Sequence, residues 1–252
     1  MSDPALPEEP DRSLTRGGPQ IIPRPDSWRP GPGASWSRPG AVRPSRVTVA
    51  DVRAALAARP DPPVEPTDEV PTVALPGPAR RPAAVLCLLF DSSLGEGGTQ
   101  CHVLLTRRSS RLRSHTHQVS FPGGRLDRGE SLTEAALREA NEEVGIDPSS
   151  VEIIGRLSSL RTVLNPSPIT PFVGVVPTRP RLVPNPAEVE RAFDVPLIEL
   201  FDPEVYREEL WAFPDGTEHP MQFFELIGDT VWGATARMLV ELLDVVAGAR
   251  TG

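Results

Sequence analysis

The stretch from Ser131 to Gly145, "SLTEAALREANEEVG", constrains the chain more than any other. Ser131 and Glu134 make an S-x-x-E capping box, in which hydroxyl and carboxylate each satisfy a backbone amide that a helix start leaves open. Gly145 supplies the stop, since glycine takes the left-handed C-terminal turn without steric cost. At about 100° per residue, Leu132, Ala136, Leu137, Ala140 and Val144 share one arc, so the spacing predicts an amphipathic helix with that arc on a core. Glu139, Glu142 and Glu143 gather along the border of the same arc.

That placement breaks two local rules. Glu139 forms like-charge pairs with Glu142 at i,i+3 and with Glu143 at i,i+4, each unfavourable by roughly 0.2–0.5 kcal/mol. The last turns of a helix also favour cations over acids by roughly 0.3–1 kcal/mol per charge. A merely solvated acidic face would lie far from the core edge, and rule-breaking without local gain marks functional sites. Carboxylates offered from consecutive turns suit a hard divalent cation, Mg²⁺ or Mn²⁺, of the kind that bridges protein oxygens to substrate phosphates. Upstream, Gly123 and Gly124 in "FPGG" allow the backbone to approach the same place and present amides to an anion.

The rest of the composition excludes several alternatives. The 252 residues carry a net charge of −8, which argues against general affinity for nucleic acid or anionic membranes. Every basic side chain apart from histidine is Arg, so a lysine nucleophile and a P-loop are both excluded. The two cysteines, Cys87 and Cys101, sit in apolar segments without CxxC spacing and read as buried thiols. No apolar run reaches 18 residues and no leader pattern opens the chain, so the expected location is cytoplasmic, with no membrane partner.

Residues 1–45 are rich in Pro, Gly and Arg, without apolar periodicity, and are expected as a disordered tail. A single domain is expected over 46–248. Thr48 caps a short helix ending before Pro60. "AAVLCLLF" (83–90) and "HVLLTRR" (102–108) read as buried strands paired in a hairpin. Further strands are expected at 151–160, 170–177, "ELWAF" and "QFFELI", and a final helix over 231–246. Interspersed strands and helices suggest a mixed-sheet α/β domain with helices on both faces.

The full spacing is sharper than its parts. "GRLDRGESLTEAALREANEEVGI", running from Gly124 through Glu130 to Ile146, resembles the Nudix box over its whole 23-residue length. The resemblance implies a Nudix-type α/β/α sandwich whose loop-helix-loop binds Mg²⁺ or Mn²⁺ and hydrolyses a nucleoside diphosphate linked to another moiety. Carried onto this chain, Glu139 and Glu143 become the leading metal ligands, with Glu142 a third or water-mediated one. Glu130 and Arg138 become a structural ion pair between loop and helix. The catalytic base is either a box Glu or a later acid; outside the box the candidate is Glu188 in "PNPAEVE", for which a surface role is the alternative.

Arg107, Arg108, Arg111 and Arg113 place four guanidiniums within seven positions of an acidic chain. Arg binds phosphate bidentately, so an additional phosphate on the substrate would account for them; a solvated basic turn is the other reading. The stretch "LLTRRSSRLRSHTHQVSFPGG" (104–124) also resembles the motif of coenzyme A pyrophosphatases within the Nudix superfamily. His115 matches that pattern and is expected to position or contact phosphate. His117 departs from it, standing where the family usually has Gly. The implied partner is a CoA-like small molecule, cleaved to 3′,5′-ADP and 4′-phosphopantetheine products. ADP-ribose, NADH or a nucleotide sugar are alternative substrates, and a catalytically silent nucleotide-binding module is the non-enzymatic alternative. A homodimer is compatible with such a domain.

Overall fold

A computed structural model describes residues 15–60, 62, 81–93, 98–112, 116–161, 167–213 and 216–248. In chain order the regular elements are β1 (Trp28–Pro30), α1 (Val49–Ala57), β2 (Ala83–Ser92), β3 (Gln100–Arg108), β4 (Val119–Ser120), β5 (Gly123–Arg125) and α2 (Leu132–Val144). They continue with β6 (Glu152–Arg156), β7 (Ile169–Val175), β8 (Val189–Pro196), α3 (Leu197–Leu200), β9 (Tyr206–Ala212), β10 (Glu218–Leu226), β11 (Asp229–Trp232) and α4 (Gly233–Gly248).

The main sheet has the order β4-β3-β2-β7-β6, with β5 also pairing to β2 and β8 to β3. It is mixed: β2 runs parallel to β7, while its pairings with β3 and β5 are antiparallel. Strand alternation divides its two faces. Leu86, Leu88 and Phe90 point into one core under the apolar arc of α2, with Ala136, Ala140 and Val144. Cys87 and Leu89 point into the other, shared with Val52 of α1 and Leu239 and Leu243 of α4. The α/β/α layering expected of the sequence is therefore the architecture observed. Both cysteines are buried and free. No helix among the described residues is long and apolar enough to cross a membrane.

A second sheet, β1-β9-β10-β11, flanks the first. It corrects two expectations. Residues 15–45 do not behave as a tail: β1 pairs antiparallel with β9, and Trp36 is 2% exposed, its ring 5.2 Å from that of Phe201 and 4.8 Å from that of Tyr206. Strand pairing uses backbone groups, which composition does not reveal, and a single buried Trp supplies a large apolar anchor without any periodicity. The final helix also begins later than expected. Val231 and Trp232 belong to β11, in register with Phe224 and Phe223, and the helix starts only at Gly233.

Candidate active site

The helix α2 forms as its caps dictate. Ser131 Oγ accepts from the Glu134 amide at 3.2 Å, the Glu134 carboxylate accepts from the Ser131 amide at 2.8 Å, and Gly145 closes the helix at φ 74°. The edge of the helix is organised by Arg138. Its Nε and Nη2 donate to the two Glu130 oxygens at 2.8 and 3.1 Å, and Nη2 also donates to the Arg125 carbonyl at 3.2 Å. Glu130 accepts in addition from the Asp127 amide, and these bonds hold its carboxyl below the ordinary range. Arg138 Nη1 lies 3.0 Å from both Glu139 Oε1 and Glu142 Oε2. Much of the like-charge repulsion along the helix is therefore neutralised by one guanidinium.

Glu143 stands apart from that arrangement. It is 3% exposed, and its Oε2 is buried without a hydrogen-bond partner. Its other oxygen lies 3.8 Å from Arg108 Nη1. Burial pushes its carboxyl up to about 8; Glu139 and Glu188 push the same way, against Arg108 and the Gly123 amide. Glu139 is raised as well, chiefly by burial, with Glu142 and Glu188 adding to the shift and Arg138 opposing it. A Cβ on Gly124 would sit 2.3–2.7 Å from the Glu139 carboxyl atoms, so glycine is what allows that carboxylate to lie on the β5 backbone.

Glu188 reaches the same centre through the loop before β8. The Asn185 amide donates to the Glu143 carbonyl at 2.8 Å, and the Ser109 amide donates to the Glu188 carbonyl at 2.8 Å. The loop is thus tied both to the end of α2 and to the segment after β3, which brings the Glu188 charge to bear on Glu139 and Glu143.

Among the described residues no three His, Cys, Asp or Glu side chains converge on a preassembled metal site. Glu142 departs most from the expectation, since its side chain is 53% exposed and tied to Arg138. Glu139 and Glu143 fit a hard cation better: both are carboxylates in a partly desolvated setting, and the orphaned Glu143 Oε2 is an acceptor with nothing yet to accept from.

The arginines separate into distinct roles. Arg108 faces Glu143, with a register shift in the β3–β8 pairing just before it. Arg107, expected to bind substrate, is instead engaged internally. Its Nη1 lies 3.1 Å from Asp229 Oδ1, its Nη2 3.3 Å from Glu190 Oε1, and its side chain is 16% exposed. A cation in two ion pairs has little left for a phosphate. Arg111 is exposed, while Arg113 and His115 lie outside the described residues.

Sequence reasoning missed the partners of Arg107. Asp229 is fully buried and accepts from Arg107, Arg191 and Gln20 at 2.8–3.1 Å. The available signal was an acid set among the apolar residues of "FFELIGDTVW", because a charge is buried only when paired.

Known proteins supply the remaining evidence. The family model described as "NUDIX domain" matches residues 80–214. An uncharacterized Nudix hydrolase NudL from Photorhabdus laumondii is 40% identical over 145 residues, which cover 57% of this chain and 76% of that protein. The chloroplastic Nudix hydrolase 22 of Arabidopsis thaliana is 37% identical over 175 residues, 65% of this chain and 55% of its own length. Among solved structures, the Nudix hydrolase RenU of M. smegmatis overlaps 48% of this chain and 73% of its own, at 22% identity and a TM-score of 0.41.

Proposed function

The chain belongs to the NUDIX domain family of hydrolases acting on nucleoside diphosphate derivatives, and from that premise we propose that it is a cytoplasmic, metal-dependent pyrophosphatase that cleaves coenzyme A or acyl-CoA to 3′,5′-ADP and 4′-phosphopantetheine products. The observation that carries this reading is the approach of Arg108 to Glu143 at 3.8 Å. It joins the basic CoA-type motif of residues 104–124 to the acidic end of α2, so that phosphate-binding cations and carboxylates border one place.

In this reading Glu139 and Glu143 would hold Mg²⁺ or Mn²⁺, with Glu142, which now contacts Arg138, as a third or water-mediated ligand. Such an ion, when bound, neutralises diphosphate charge and acidifies a bound water. Glu188 accepts the proton of the attacking water, a role supported by its place within electrostatic reach of Glu139 and Glu143. The P–O bond to the departing phosphate breaks as the new P–O bond forms. Arg108 and Arg111 bind the phosphates; Arg113 and His115 are assigned to the same task on sequence alone. Gly124 leaves room on β5 for the Glu139 carboxylate, while Gly123 lies close on β2 at Ala84 and Val85 and turns its amide toward Glu143.

Incubation with CoA, dephospho-CoA, ADP-ribose and NADH in the presence of Mg²⁺, with products identified by mass spectrometry, tests the assignment. 3′,5′-ADP and phosphopantetheine are expected from CoA. Faster cleavage of ADP-ribose would remove the CoA reading. Joint replacement Glu142→Gln and Glu143→Gln should abolish turnover, and undiminished turnover would remove the helix from the mechanism.

A further inference from the structure

His117 is the only non-glycine among the described residues with a positive φ, at 60°. A side chain in this left-handed region carries strain, and such a conformation persists where its surroundings fix it from several sides. Three contacts do so here. The His117 amide donates to the Arg108 carbonyl at 3.1 Å. Its carbonyl accepts from Gln20 Nε2 at 2.9 Å. Its ring Nδ1–H donates to Glu190 Oε2 at 2.9 Å.

Each partner is itself held. Gln20 spends both amide hydrogens, on the His117 carbonyl and on Asp229 at 2.8 Å, and its oxygen accepts from the Thr230 amide at 2.8 Å. Gly18 lets this segment lie close, because a Cβ there would fall 2.6 Å from the Gly228 carbonyl oxygen. Glu190 is shared with Arg107, and it lies two residues along from Glu188. The Arg108 amide in turn donates to the Gln118 carbonyl at 2.9 Å, which closes the turn on both sides of Arg108.

We propose that Gln20, His117 and Glu190 form a clamp that positions Arg108 at the acidic centre, making the segment around Gln20 a working part of the diphosphate-facing rim. His117 is a positioning residue in this scheme, acting through Arg108, and the scheme rests on the reading of Arg108 as a diphosphate receptor. The ring contact is the essential element. Without it the turn keeps its backbone bonds, and β3 its pairing with β8, but the turn loses its own side-chain tie to β8 at Glu190, which fixes the turn beside Arg108.

The test is calorimetric binding of methylenediphosphonate, a non-hydrolysable diphosphate, in the presence of Mg²⁺, to the full chain and to variants H117N, H117G and Q20A. Asparagine tolerates the left-handed region and donates a hydrogen bond to Glu190, so H117N should bind within about twofold of the unaltered protein. Glycine takes this φ more easily but has no ring, so H117G should bind about tenfold more weakly, the worth of one charge-assisted hydrogen bond. A purely conformational role predicts the reverse order. Q20A should weaken binding in the same direction while the tryptophan fluorescence of the chain stays unchanged.

Equal binding by H117G and H117N, unchanged binding by Q20A, or no binding by the unaltered protein would each overturn the proposal. CoA hydrolysis by the same preparation reports separately on the substrate. If CoA is not cleaved but the binding order holds, the CoA reading fails and the clamp stands.

Discussion

Replacement of Glu143 by Gln should stabilise the metal-free protein while removing the effect of metal on stability. The carboxyl is 3% exposed with one oxygen unpartnered, and its titration moves from an ordinary 4.5 up to about 8. The sign follows from linkage. A carboxyl raised by folding costs nothing below its unfolded value, and costs progressively more as pH rises toward its folded value. At pH 7 the unfolded chain holds Glu143 ionised and the folded chain holds it mostly protonated, about 2.5 pH units above the ordinary value, which at about 1.36 kcal/mol per unit is about 3 kcal/mol. Glutamine has nearly the same shape and no proton to gain, and its amide can donate to Glu139 or Glu188. The Tm of E143Q in a chelator should therefore exceed that of the unaltered protein by about 6–12 °C at pH 7, with the gap closing toward pH 4.5. Excess Mg²⁺ should raise the Tm of the unaltered protein and leave E143Q nearly unmoved. Scanning calorimetry with chelator and with Mg²⁺ decides it. A lower Tm for E143Q in chelator would refute the view of this carboxylate as an acid whose burial outweighs its Arg108 partner.

Three other perturbations probe the neighbourhood. Gly124→Ala places a Cβ within 2.3–2.7 Å of the Glu139 carboxyl group, so Glu139 must shift, and kcat/KM on the best diphosphate substrate should fall by about 10²-fold; steady-state kinetics would read it. Asp229→Asn leaves Arg107 and Arg191 without their buried counter-charge and should lower stability by about 3–5 kcal/mol in urea unfolding. For Asp194, burial raises the carboxyl, but hydrogen bonds from His102 and Arg179 outweigh it and leave it below the ordinary range. The folded state thus keeps this group ionised, and its stabilisation is present above the ordinary carboxylate value and lost as pH falls through the folded one. D194N should accordingly be less stable than the unaltered protein at pH 7, and their Tm difference should shrink on acidification.

The elements that the sequence disclosed are those specified by local chemistry. A capping box and a glycine stop define α2 from both ends, and the apolar run of β2 has strand length and strand composition. Elements fixed by distant partners were not disclosed. β1 exists because β9 offers it backbone groups far along the chain, Trp28 facing Trp211 and Pro30 facing Glu209, and nothing in "WRP" announces that pairing. The second half of β11, Val231 and Trp232, continues an apolar stretch into the helix that follows, and only its register with β10 tells strand from helix. The arginine motif shows the same limit. Charge and spacing place four guanidiniums before the glycines, but which of them is free depends on Asp229 and Glu190, which arrive from β11 and β8.

The acidic cluster itself changes meaning once its partners are known. By helix rules Glu139 repels Glu142 and Glu143 alike, yet Arg138 stands within 3.0 Å of Glu139 and Glu142 and none of its contacts goes to Glu143. The crowding of acids that Arg138 does not relieve is therefore concentrated around Glu143, which has Arg108 at 3.8 Å and the Glu139 and Glu188 carboxylates acting on it. That concentration is what a divalent cation would relieve. Arg138 has then a second consequence beyond bracing Glu130. Because it holds Glu142 out at the exposed edge, Glu139 and Glu143 would be the carboxylates a cation meets first, and recruitment of Glu142 would require the Arg138 contact to yield. Replacing Arg138 should on this argument free Glu142 toward the metal while loosening the Glu130 loop, so metal affinity and fold stability should move in opposite directions.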